Sequence, residues 1–416
     1  MSAVVQIGSR QVNTHLAALR LIGSGLVAFG VFLSGFVPAE PAPYELFMAG
    51  QVAIWFLLGL KISRSVAPIL ILFLLFNTGG LFSMTVMKDI TGAPMYFAVS
   101  TFLALTSVFY AAIIEDDQRR LSLIFKAWAF AAVLTSILGI LGYFHAFPGA
   151  QVFTRYDRAM GAFQDPNVFG PYLVAPTLYL MYRLLSAPLT RAWLYAPGIM
   201  ILTLGVFLSF SRAAWGLFAF CVFALIVVML LKERTAAFRM KIFTLSIAAL
   251  VLLIIAIGGA LQSKKVDDLF LNRAKLVQSY DGARLGRFER HKIGFLMAME
   301  RPLGLGPMVL GKMFGEDEHN MWLKSLTTYG WLGFVCYLTL LWTTVALGFR
   351  HLLRERPWQP YLMIAWIVLI GHAGIGNVID LDHWRHMYLL YGILWGCFAL
   401  EQRYQMKLRR TQVLPS

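Results

Sequence analysis

Three stretches hold residues whose types and spacing suit chemistry on an anionic group. In SFSRAAWG at 209–216, Arg212 stands between two apolar runs with no acidic neighbour. An arginine at membrane depth is costly unless it is paired or faces water. A snorkelling arginine at a helix end is the structural alternative. Ser209 and Ser211 add hydroxyls, and the turn opens a helix whose first amides favour anions. In the amphipathic stretch 284–299, Arg284, Arg287 and His291 share one face at helical spacing. Leu285, Phe288, Leu296 and Met299 form an apolar stripe beside it, as on a helix lying on a membrane surface. Arginines grouped in this way can clamp phosphate oxygens bidentately. In GEDEHNMWL, after the glycine-rich RPLGLGP at 301–307, His319 sits where a polar loop re-enters an apolar run. A histidine in that position can act as a general base.

Other polar groups have simpler readings. In MGAFQDPNVFGPYL at 160–173, Asp165 and Asn167 make a good turn and helix cap, and could also be offered to a sugar. The stretch Gly306–Lys312 superficially matches a P-loop, but Met313 stands where the magnesium-binding Ser or Thr belongs. EDEH at 316–319 and DLDHWRH at 380–386 lack an established metal-ligand spacing, so no metal site is expected. Asp382, His383, Arg385 and His386 read instead as an external polar cluster near the same site.

The elements that must position these residues follow from composition. Of 416 residues, 59% are hydrophobic and 14% charged, against about 25% charged in average proteins. Mean hydropathy is +0.68. A soluble globule is excluded. Runs such as 242–261 and 326–347 reach the roughly 20 apolar residues that cross a bilayer. A β-barrel would instead alternate apolar and polar residues. The chain therefore reads as an all-α polytopic integral membrane protein of about twelve spans. They are expected near 16–36, 44–60, 66–82, 93–114, 123–147, 168–185, 193–209, 212–231, 241–261, 320–349, 360–379 and 386–400.

The first run reads as a retained span rather than a cleaved signal peptide, since AEPA at 39–42 puts proline at the cut. Short-loop basic residues put both ends in the cytoplasm: Lys61, Arg64, Arg119, Arg120, Arg183, Arg191, the 232–241 and 350–356 connectors, and the tail. Residues 1–416 then form a single membrane domain, with one large extracytoplasmic loop at 262–319 between the ninth and tenth spans. Ten of the chain's 36 Lys and Arg lie between Lys264 and Lys312. A net charge of +15 points to anionic lipid or phosphate, and no nucleic-acid partner is expected. Cys221, Cys336 and Cys397 lie within apolar spans and show no disulfide or metal framework.

Four features in order resemble the O-antigen ligase and polymerase superfamily of bacterial envelope glycosyltransferases. They are F-x-D-P-N at 163–167, S-x-S-R-x-A at 209–214, Arg287 fifteen residues before the Pro of PLGLGP, and His319-Asn320-x-x-Leu323. The likeness runs over roughly 160–335, and His291 departs from it where an aromatic is common. It implies a helical transferase of the GT-C type at the periplasmic face of the bacterial inner membrane. Such an enzyme moves a glycan from undecaprenyl diphosphate to an acceptor hydroxyl, without metal, nucleotide or other cofactor. Carried over by motif, Arg212 and Arg287 look like the diphosphate-binding arginines and His319 like the catalytic histidine. Ser211, Arg284, Asn320, Asp165, Asn167 and Arg385 are the expected substrate-binding residues.

The leading expectation is an inverting ligase that uses a lipid A-core acceptor. A polymerase of O-antigen or exopolysaccharide units, with the growing glycan as acceptor, would use the same site. A lipid-linked glycan transporter would show broken helices in paired halves, and no such symmetry is visible.

Overall fold

The computed structural model describes residues 21–260 and 286–413. It is 75% helical, and its sheet is a single two-stranded hairpin, β1 (Thr154–Arg155) with β2 (Arg158–Ala159), so the class is all-α. In chain order the helices are α1 (Leu21–Leu33), α2 (Pro43–Leu57), α3 (Ala67–Met84), α4 (Ala93–Asp116) and α5 (Arg119–Tyr143). After the hairpin come α6 (Pro166–Tyr172), α7 (Val174–Ser186), α8 (Leu189–Ala192), α9 (Ala196–Leu208), α10 (Arg212–Lys232) and α11 (Ala236–Ala260). The last five are α12 (Arg287–Met299), α13 (Val309–Phe314), α14 (Met321–His351), α15 (Gln359–Ile375) and α16 (Arg385–Val413).

A helix stands at every expected span. Among the described residues, α3, α4, α5, α10 and α14 are long and apolar enough to cross a membrane, and α1, α9 and α15 are shorter apolar helices. This is a multi-pass, all-α membrane protein. The expected sixth span is two helices, α6 and α7, which abut at Leu173. The proline inside α6, Pro171, has no N–H to donate and its ring crowds the preceding turn, which breaks the run. Of the expected loop 262–319, residues 262–285 lie outside the described residues; the remainder forms α12, α13 and their connections.

The bundle is organised on α4, whose most apolar window is 72% buried against 33–50% for the other four long helices. Helix α16 reaches it through Gly392 and Gly396, one turn apart. A methyl group on Gly392 would come within 2.7 Å of Ser107 O, and one on Gly396 within 2.7 Å of Ile114 Cγ2. Small residues at this spacing let two backbones touch where there is no water to drive helices together. Helices α3 and α14 approach as closely, since Gly79 faces Tyr329 O and Gly333.

Helix α14 is broken at Gly330, whose φ of 66° and ψ of −174° leave the helical region. The RPLGLGP loop fills the break. Leu305 N donates to Thr327 O at 2.6 Å, and Trp331 N donates to Pro302 O at 2.9 Å. Any Cβ at position 330 would lie 2.8 Å from the Leu303 carbonyl carbon, so only glycine fits. The glycine-rich loop thus repairs a helix. Lys312, at the end of the P-loop lookalike, pairs with Asp89 at 2.6 Å.

Helices α10 and α15 run antiparallel in a readable register. Gly371 faces Leu217, Cys221 Sγ lies 3.8 Å from Ile367 O, and Lys232 Nζ donates to Gln359 Oε1 at 2.7 Å. This register carries the start of α10, and with it Arg212, to the level of Gly376.

Candidate active site

The segment before α14 is pinned to the end of α15. Met321 N donates to Gly376 O at 2.7 Å, and Asn320 Nδ2 donates to Asn377 O at 3.0 Å. Asn320 Oδ1 meanwhile accepts from Leu323 N at 3.0 Å, which makes it the N-cap of α14. Helix α12 is tied to the same segment through Arg290, which pairs with Glu316 at 2.7 Å, and through His291, whose Nε2 meets Glu318 O. One helical turn earlier lies the backbone of Arg287. The starts of α10, α12 and α14, and hence the three motif residues Arg212, Arg287 and His319, therefore gather at one end of the bundle. The partial positive charge of a helix start favours an anion there.

The two motif turns share a local grammar. Phe210 (φ 44°) precedes Ser211, the N-cap of α10, and His319 (φ 46°) precedes Asn320, the N-cap of α14. Left-handed backbone is uncommon for residues other than glycine, and each instance costs about 1–3 kcal/mol. Such strain persists where the surroundings over-determine a position, and it collects at functional sites.

His319 Nδ1 lies 3.3 Å from Asp380 Oδ1, and its side chain is 38% exposed. A carboxylate there accepts the Nδ1 proton, and in that tautomer Nε2 carries the basic lone pair. Asp380 is in turn held by Lys324, whose Nζ donates to its Oδ2 at 2.6 Å. Burial alone would raise the Asp380 carboxyl. The charge of Lys324 and hydrogen bonds from His319 and Lys324 outweigh it and hold that carboxyl well below the usual carboxylate range.

Lys324 is 3% exposed and also meets Asp317 at 3.5 Å and Asp382 at 3.8 Å. Asp382 accepts from Tyr96 OH and, at 3.2 Å, from Tyr329 OH, which itself meets Ser100 Oγ at 3.1 Å. Burial pushes the Glu318 carboxyl up, although Lys324 and the hydrogen bond from Thr327 oppose it. Beneath His319 there is thus one lysine among several carboxylates. That surplus of negative charge stabilises an imidazolium formed when His319 takes a proton.

The other turn is held by a residue that sequence reasoning missed. Arg158, on β2, is 5% exposed; its Nε donates to Ser209 O at 2.7 Å and its Nη2 to Asn167 Oδ1 at 2.7 Å. It joins the F-x-D-P-N turn to the S-x-S-R turn. Asp165 Oδ1 accepts from Asn167 N at 2.6 Å and so caps α6, while Ser211 Oγ accepts from Ala214 N at 3.4 Å. Replacing Arg158 with alanine leaves the buried Ser209 carbonyl without that donor, at about 1–3 kcal/mol, and removes the part-buried bond to Asn167 as well. The expected outcome is a lower melting temperature in detergent with lysine rescuing only in part, since an ammonium lacks the planar fork. An unchanged melting curve would show that the turns hold without it.

Arg385 is 8% exposed and is held by Glu45, with Glu40 at 3.4 Å. His372 and His386 meet through their Nε2 atoms at 3.2 Å, both buried. Arg284 lies outside the described residues, as does the side chain of Arg287. Among the described residues no group of three or more His, Cys, Asp or Glu side chains could hold a metal ion.

Fold and site together define a helical multi-pass membrane protein with a histidine–aspartate pair and anion-seeking helix starts at one end. The family model described as O-Antigen ligase matches residues 197–338, a stretch that contains Arg212, Arg287 and His319. Over that stretch, about a third of the chain, the protein is similar to the O-antigen ligase family. No curated protein matches the chain.

Proposed function

We propose that the chain is an O-antigen ligase-type glycosyltransferase of the bacterial inner membrane, with its site facing the periplasm. It moves a glycan from undecaprenyl diphosphate to a hydroxyl of lipid A-core. The observation that carries this reading is the His319–Asp380 pair, at 3.3 Å, whose histidine lies inside the matched region and at the same end as Arg212.

The acceptor hydroxyl gives its proton to His319 Nε2 as its oxygen attacks the anomeric carbon. The bond from that carbon to the diphosphate breaks, and its electron pair leaves with undecaprenyl diphosphate. Attack opposite the leaving group inverts the anomeric configuration. Arg212 and Arg287 stay charged at every relevant pH and neutralise the departing diphosphate without proton transfer. The donor carries its own leaving group, so neither nucleotide nor metal is required, and transfer is expected to continue in EDTA.

The test is a gel of lipopolysaccharide from a strain lacking the chain. The ligase reading predicts loss of the ladder with accumulation of lipid-linked polymer, restored by the wild-type gene and not by Arg212→Ala. Core bearing a single repeat unit would mean a polymerase instead. An unchanged ladder would contradict both.

A further inference from the structure

At the other end of the bundle, α14 finishes against the start of α3 and the last turns of α16, leaving a cavity of about 540 Å³. This end is 31 residues along α14 from His319, about 45 Å at 1.5 Å per residue. It is not part of the transfer site.

The rim is cationic. Arg64, Arg350 and Arg409 line it from three different helix ends and are exposed. The cavity's one carboxylate, Glu401, is consumed: Arg354 binds it at 2.6 Å and Arg356 at 2.8 Å. Among the described residues no carboxylate pairs with Arg64, Arg350 or Arg409. His351 lines the same space, with its Nδ1 buried and without a hydrogen-bond partner. The floor is apolar, formed by Leu347, Trp395 and Phe398. Beside it Phe349 (70%) and Leu353 (53%) are exposed to what would be the edge of the hydrocarbon.

Three unpaired arginines, a buried nitrogen seeking a partner and an apolar floor at the end of membrane helices describe an amphiphilic anion. We propose that this cavity binds the phosphate of an anionic phospholipid headgroup, with the glycerol and upper acyl chains against Trp395 and Phe398. A free phosphate would use the rim and leave the floor uncovered. Guanidinium groups suit phosphate oxygens because their N–H pairs match them two at a time. The arginines come from the ends of α3, α14 and α16, so an occupant also ties three helices together.

The test is native mass spectrometry of the full chain, released from micelles that contain phosphatidylglycerol and phosphatidylcholine in equal amounts. The wild-type chain is expected to retain phosphatidylglycerol at least tenfold over phosphatidylcholine. The triple variant Arg64→Gln, Arg350→Gln, Arg409→Gln should lose that preference about tenfold or more, since hydrogen bonds to charged groups are the strong ones. A control triple, Lys61→Gln, Arg119→Gln, Arg410→Gln, removes the same charge outside the cavity and should keep it. Equal loss in both triples, no headgroup preference in the wild type, or complete displacement by millimolar inorganic phosphate would overturn the proposal. In case the variant does not fold, phosphatidylglycerol with a photoreactive headgroup should label the wild-type chain within 343–354 or 395–409. Labelling confined to other segments would overturn it as well.

Discussion

Replacing His319 with alanine is expected to abolish glycan transfer while the protein accumulates and inserts at its ordinary level. General-base catalysis is worth about two to four orders of magnitude. Asp380 is the nearest carboxylate, but it is held well below the usual range by Lys324 and His319 and is therefore a poor base at neutral pH. The folded state should tolerate the change, because the His319 side chain is more than one third exposed and alanine relieves none of the links at Asn320 or Met321. Its backbone does resist, since φ is 46°, so asparagine is a useful second variant: it accepts left-handed backbone and cannot act as the base. Immunoblots of membrane fractions beside a transfer assay would read both halves of the prediction. Full activity in either variant would sink the general-base role.

Replacing Lys324 with methionine is the change expected to harm the fold most. Its ammonium is 4% exposed at the side chain and lies 2.6, 3.5 and 3.8 Å from three carboxylates. Removing one partner of a buried charge pair typically costs about 3–5 kcal/mol, because the other charges are left uncompensated. The hydrocarbon stem of lysine is matched by methionine in length, so the loss isolates the charge. The expected result is a sharp fall in melting temperature, or little folded protein at all, with transfer lost in whatever remains because Asp380 no longer stays in place for His319. The double variant Lys324→Met, Asp380→Asn should recover part of the stability and none of the activity. A single variant as stable as wild type would show that the cluster is not a unit. The linkage runs the same way. A carboxyl held low in the folded state contributes its full share at neutral pH, and that share fades only as the pH falls below about 4, the value of a free aspartate.

Much of this architecture could be read from the chain, for reasons tied to particular residues. Apolar runs bounded by basic connectors located a helix at each expected span, because nothing but a helix satisfies its own backbone in lipid. The break between α6 and α7 was foreshadowed by Pro171 and Pro176, while the break in α14 was not, since Gly330 lies in a run that reads as continuous helix. What Gly330 does depends on Pro302 and Leu303, contributed by a loop far away in the chain's path.

The candidate site divides the same way. Arg212 announces itself by its isolation among apolar residues and His319 by its place where a polar loop re-enters an apolar run, and their turns adopt the left-handed backbone typical of strained sites. Their supports do not. Arg158 sits in a short hairpin with no local pattern, and its meaning comes only from Asn167 and Ser209. Lys324 carried a usable signal, being a charge at the fourth residue of an apolar helix, where a partner is obligatory. Sequence alone could not show that the partner is Asp380, 56 residues further along.

The most direct test of the central claim is single-turnover transfer by the purified chain in vesicles, with undecaprenyl-diphosphate-linked glycan as donor and lipid A-core as acceptor. The wild type, His319→Ala and Arg212→Ala would be compared, with donor binding measured separately. His319→Ala is expected to bind donor as the wild type does and to fail to transfer it, while Arg212→Ala is expected to lose both binding and transfer. Transfer by His319→Ala at a rate near that of the wild type would contradict that expectation.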